Sequence, residues 1–98
     1  MDTEVCKSLD QVRANIDRID SEIIRLIAQR GKYVAQAAAF KKSETEVRDS
    51  SRVEAVVQKA RSTAEQYGAD PELVEAVYRE MISRFIASEM SEYKGDAS

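Results

Sequence analysis

The chain has 98 residues, 43% hydrophobic and 34% charged, with 15 basic against 18 acidic side chains and a net charge of −3. That length makes one small domain, and the interspersed charge offers no basic block or aromatic–basic patch for nucleic acid. It has no His and a single Cys, at position 6. His-based catalysis and an intrachain disulfide are therefore excluded, and a zinc site lacks its usual donors.

Residues 1–8 read as a flexible start. No signal-peptide pattern precedes Ser8, and no apolar run approaches ~18 residues. The expected compartment is the cytoplasm, without membrane attachment. Ser8-Leu9-Asp10-Gln11 fits a capping box. From Leu9 to about Lys42 only Gly31 interrupts a helical pattern, at tolerable cost. Such a helix is about 50 Å long, whereas a compact 98-residue globule has a radius of gyration near ~13 Å. Its apolar stripe continues along the whole length, so the overhang needs cover. The simplest cover is a second copy, an intertwined homodimer with the long helices packed together.

Ser43 to Ser50 is polar and lacks helical period, and reads as a loop. A second helix is expected from about Ser51 to Tyr67, ended by Gly68. Asp70-Pro71 then starts a third, with Asp as N-cap and Pro at the first position. It runs to about Tyr93, leaving 94–98 as a flexible tail. With 3 Gly, 1 Pro and no strand–turn–strand pattern, the fold class is all-α. Three helices make up each chain, across a helical domain at residues 9–93.

Two cations break the apolar stripe of the first helix. At 100° per residue, Val12, Ile19, Ile23, Leu26, Val34, Ala37 and Lys41 all fall within about 40° of Arg30. A buried, unpaired Arg or Lys costs several kcal/mol, so each needs a partner. The plain alternative is a structural salt bridge, or a Lys stem reaching past the helix end. Two such cations on one face, with small Val34, Ala37 and Ala38 between them, look instead like one wall of an anion pocket. On the third helix Glu89 lies within about 40° of Tyr78, Ile82 and Phe85, so a carboxyl points inward as well. Its simplest role is a salt bridge to Lys41 or Arg30. Arg52 opens the second helix as a possible third cation, or as a solvated first-turn residue. Arg13 sits about 100° from the Arg30 line. In a dimer it could reach the partner's pocket.

The pattern R-x-x-I-D-x-I-D-x-x-I-x-x-L-x-x-R from Arg13 to Arg30, followed by Lys41 and Arg52, resembles the all-helical chorismate mutase family (AroQ class). The resemblance covers about Leu9 to Tyr93. It implies an intertwined dimer of three-helix chains with two shared active sites, a small dianionic substrate, and neither metal nor cofactor. By position, Arg13 resembles the family's cross-subunit Arg and Arg30 its main carboxylate-binding Arg. Lys41 resembles the Lys at the substrate's ether oxygen, and Arg52 a further cationic position. Glu89 stands where bacterial mutases usually have Gln. Val34, Val53, Ile82 and Phe85 are expected to shape the pocket.

Two features depart from typical mutases. Val53 replaces a Glu that contacts the substrate's ring hydroxyl, and the loop from Lys41 to Arg52 is a residue shorter. Both are closer to the family's isochorismate-pyruvate lyase branch, although that branch has Gln at the position of Glu89. The leading expectation is a Claisen rearrangement of chorismate to prephenate. The alternatives are elimination of pyruvate from isochorismate to leave salicylate, and a mutase acting on 4-amino-4-deoxychorismate. From a different class, a dimeric helical adaptor would pair its inward cations with protein carboxylates.

Both pericyclic reactions proceed through a cyclic transition state and need no nucleophile. They need the side arm held over the ring, which clamped carboxylates provide. They also need a positive group at the ether oxygen as the C–O bond breaks. Lys41 and Glu89 are the expected catalytic residues there. Glu89 can donate to that oxygen only as the acid.

Overall fold

The computed structural model describes residues 3–95, with side chains through Ser91. The chain is all-α, with helices α1 (Leu9–Ala38), α2 (Glu44–Val47), α3 (Ser50–Tyr67) and α4 (Pro71–Gly95), and no strand among the described residues. By internal packing it forms two compact units, one ending at Tyr33 and one starting at Val34.

α1 starts at the expected capping box. The Gln11 N–H donates to Ser8 Oγ at 3.1 Å, and Gln11 Oε1 accepts from the Lys7 N–H at 2.8 Å. The return bond thus lands one residue ahead of the cap. None of the 30 residues of α1 is buried. Ile16, Ile19, Ile23 and Leu26 keep between 43% and 49% of their surface exposed. An apolar stripe left half-open in this way is a face that calls for cover.

Helical periodicity continues to Lys42, but the helix itself ends at Ala38. The N–H groups of Ala39, Phe40 and Lys41 turn back to the carbonyls of Gln36, Ala37 and Ala38, at 3.2, 3.0 and 3.1 Å. These bonds tighten the last turn to a three-residue spacing and release the chain from the helix. Lys41 therefore does not continue the stripe. Its direction is set by the segment after it.

That segment corrects a second expectation. Residues 43–50 are not all loop, because Glu44–Val47 forms a helical turn. Ser43 Oγ accepts from the Glu46 N–H, and Glu46 Oε2 accepts from the Lys42 N–H. This repeats the Ser8–Gln11 arrangement, return bond included. Val47, at 4% exposure, anchors the turn in the core.

From Val34 onward the fold is an α3–α4 hairpin with α2 packed on α4. Val47, Val57, Ala60, Ala64, Ile82 and Met90 are its buried apolar residues. The small Ala60 and Ala64 on α3 permit close helix approach. Gly68 closes α3 at φ 75°, with its N–H on the Glu65 carbonyl and that of Ala69 on Ala64. This is the left-handed cap expected at Gly68. Asp70 caps α4 as expected, its carboxylate accepting from the Glu72 N–H at 2.9 Å.

An ion-pair network crosses the hairpin. Arg79 on α4 forks onto Glu54 of α3 at 2.7 and 2.9 Å and also bonds Glu75, which in turn pairs with Arg61. Hydrogen bonds from Arg79 hold both carboxyls below the usual range, with Arg61 adding to the effect at Glu75. A carboxyl whose pKa is lower folded than unfolded contributes stability fully above its unfolded value, near ~4.3. That contribution disappears as pH falls through the folded value. The melting temperature should accordingly drop below about pH 4. A Glu54→Gln, Glu75→Gln variant should melt lower than wild type at pH 7 and show a flatter acid limb. Parallel acid limbs for the two proteins would sink this account.

Candidate active site

Lys41 lies just past the end of α1 and just before the Ser43 cap of α2. Its Nζ is 3.5 Å from Glu89 Oε2 and 3.5 Å from the Glu46 carbonyl oxygen. The Lys41 side chain keeps 28% of its surface and that of Glu89 only 9%. A buried acid thus faces a cation that is open on one side. Both distances are long against the ~2.7–2.9 Å of a tight charge-assisted bond.

Asp49, the N-cap of α3, is a second acid in this neighbourhood. Its carboxylate accepts from the Ser51 hydroxyl and from the Ser51 and Arg52 N–H groups, at 2.7, 3.1 and 3.2 Å. The bond from Ser51 leads in holding its pKa below the ordinary range, followed by the Arg52 N–H, with a smaller share from the charge of Lys41. The cap fixes the first turn of α3, and with it the backbone from which Arg52 projects. The Arg52 side chain is exposed and forms no ion pair among the described residues.

Val53 is half-buried and Ile82 buried. Both line a groove of about 420 Å³, together with Arg48, Ile86 and Met90. Phe85 and Val34 are half-buried. Arg13 is exposed and Arg30 half-buried, both on the part of α1 that belongs to the first unit.

The structure therefore brings Lys41 to Glu89 and Val53 to Ile82. Sequence reasoning missed Arg48, because it gave residues 43–50 no helical face. The available signal was Ser43-x-x-Glu46, a second capping-box pattern directly before the stretch's one apolar residue, Val47.

A buried acid paired with a lysine, in a chain built almost wholly of helix, suits the charge management of a small anionic substrate. The chain belongs to the chorismate mutase type II family, which it matches over residues 12–90. It is an enzyme of the chorismate mutase or isochorismate pyruvate lyase type. It is also similar to the isochorismate pyruvate lyase of Pseudomonas aeruginosa, at 33% identity over 91 residues that cover 93% of this chain and 90% of that protein. Among the described residues, no helix is long and apolar enough to cross a membrane.

Proposed function

We propose that the chain eliminates pyruvate from isochorismate, leaving salicylate. In this step the C–O bond of the enolpyruvyl ether breaks while a ring hydrogen moves to the methylene carbon, which becomes the methyl group of pyruvate. Atoms and electrons balance within the one molecule, so no external base or oxidant is needed. The observation that carries this reading is Val53, a half-buried apolar residue directly after Arg52. It offers no acceptor for the ring hydroxyl that a mutase holds at this position. Isochorismate bears its hydroxyl on a different ring carbon. The similarity to a lyase over nearly the whole chain supports the same choice.

Rearrangement of chorismate to prephenate is the second reading. The Lys41–Glu89 pair favours it equally, since either ether oxygen gains negative charge as its bond breaks. Arg13, Arg30 and Arg52 are assigned to the substrate's carboxylates, Lys41 and Glu89 to the ether oxygen. Val34, Val53, Ile82 and Phe85 form the apolar surround.

The working unit is a homodimer. The support for it is α1, whose apolar side chains are half-exposed from end to end. Covering the open half of one Ile is worth about 1 kcal/mol, and a second α1 presents the same stripe in return. In that assembly Arg13 serves the partner's pocket.

The test supplies purified protein with chorismate and isochorismate separately and quantifies prephenate, salicylate and pyruvate. Salicylate and pyruvate in equal amounts from isochorismate, at a kcat/KM at least about ten-fold above that for prephenate formation, is the expected result. Prephenate as the dominant product would replace the first reading by the second.

A further inference from the structure

Residues 3–8 run back along the start of α1, where the Asn15 side chain fastens Glu4 and Cys6 and that of Gln11 holds Lys7. Asn15 Nδ2 donates to Glu4 Oε1 at 3.1 Å and to the Gln11 carbonyl at 3.1 Å, and lies 3.5 Å from Cys6 Sγ. Its Oδ1 accepts from Arg18 Nη2 at 3.3 Å. Cys6 and Asn15 are half-buried, whereas every other described residue before Arg30 is exposed. The strap therefore makes a real contact in an otherwise open segment. The Lys7–Gln11 and Gln11–Ser8 bonds continue the same seam.

This seam lies behind Arg13. At 100° per residue, Gln11 and Asn15 are each about 160° from Arg13, one on either side of the point opposite it. Arg13 is the fifth residue of α1, one turn from the helix end. Its side chain is exposed and makes no ion pair among the described residues. Helix ends open at almost no cost in free energy, and each opening would swing a side chain placed there.

We propose that Asn15, through the strap it fastens, is a positioning residue that holds the first turns of α1 closed so that Arg13 is delivered in a fixed direction. This rests on the reading of Arg13 as a substrate-binding Arg. A guanidinium already aimed loses less freedom on binding, which tightens substrate binding without adding a contact.

The test is a double-mutant cycle on the full-length protein, using whichever of isochorismate and chorismate it turns over. Asn15→Ala should raise KM about ten-fold with kcat within about two-fold. In an Arg13→Ala background the same change should add less than about two-fold, because the residue it positions is gone. Glu4→Ala, a change on the exposed strap that leaves the helix sequence intact, should share the rise in KM. Glu4→Gln keeps the acceptor and should restore the wild-type value. Equal effects of Asn15→Ala in both backgrounds would overturn the proposal, since the residue would then act on general stability. A neutral Asn15→Ala beside a damaging Arg13→Ala would overturn it and leave the role of Arg13 standing. A neutral Arg13→Ala would remove both.

Discussion

If Lys41 sits at the ether oxygen as proposed, replacing it by Met should lower kcat/KM by about 10²–10³-fold, the usual effect of deleting a preorganised group at an oxygen that becomes negative in the transition state. The substitution keeps the aliphatic stem and removes the charge. It also strips Glu89, at 7% exposure, of its cation partner, and an unpaired buried charge is destabilising. The double variant Lys41→Met, Glu89→Gln separates the two effects. It should regain folding stability and stay inactive. Glu89→Gln alone tests the acid. In the free chain Lys41 is held by Glu89, and an ionised Glu89 beside a dianionic substrate would repel it. A neutral donor at this position would escape that repulsion. Gln keeps the shape and an N–H donor and carries no charge. Glu89→Gln should therefore keep kcat within about ten-fold of wild type at about pH 7. A loss beyond about 10²-fold would show that the carboxyl itself is required.

Two covalently linked heterodimers should give opposite outcomes. With Arg13→Ala and Arg30→Ala on one chain and a wild-type partner, neither pocket is complete if Arg13 crosses the interface. One pocket lacks Arg30, and the other receives no Arg13. With the two changes on separate chains, one pocket keeps both arginines and the other loses both. The first heterodimer should therefore be nearly inactive and the second should retain about half of wild-type activity, since one of two sites remains. The reversed pattern would place Arg13 in its own chain's pocket. Active protein that sediments as a folded monomer at micromolar concentration would remove the dimer itself. In that case the exposed face of α1 would need another explanation.

Helix starts and stops were legible because each is settled among a few neighbouring atoms. Ser8–Gln11, Gly68 and Asp70-Pro71 act within four or five residues of themselves, and all three stand where their chemistry put them. The inward course of α4 was legible for a related reason. Ile82 and Glu89 share a face through the helical period alone, and both are buried. The end of α1 was not legible in this way. Nothing in Ala37–Lys41 lacks helical propensity, and the break is completed by the Ser43 cap and the burial of Val47 in the core.

Periodicity and spacing along the chain were enough for the all-helical class, for a long amphipathic α1 with no cover of its own, and for a family whose cations recur at set intervals. Where Lys41 points is a matter of packing, since it leaves the helix and turns to an acid 48 positions later in the chain. Packing likewise placed Arg48 beside Val53 and Ile82 and folded residues 3–8 behind Arg13's turn. Such pairings depend on how a short turn packs and where a loop returns, and no repeat in the sequence encodes either.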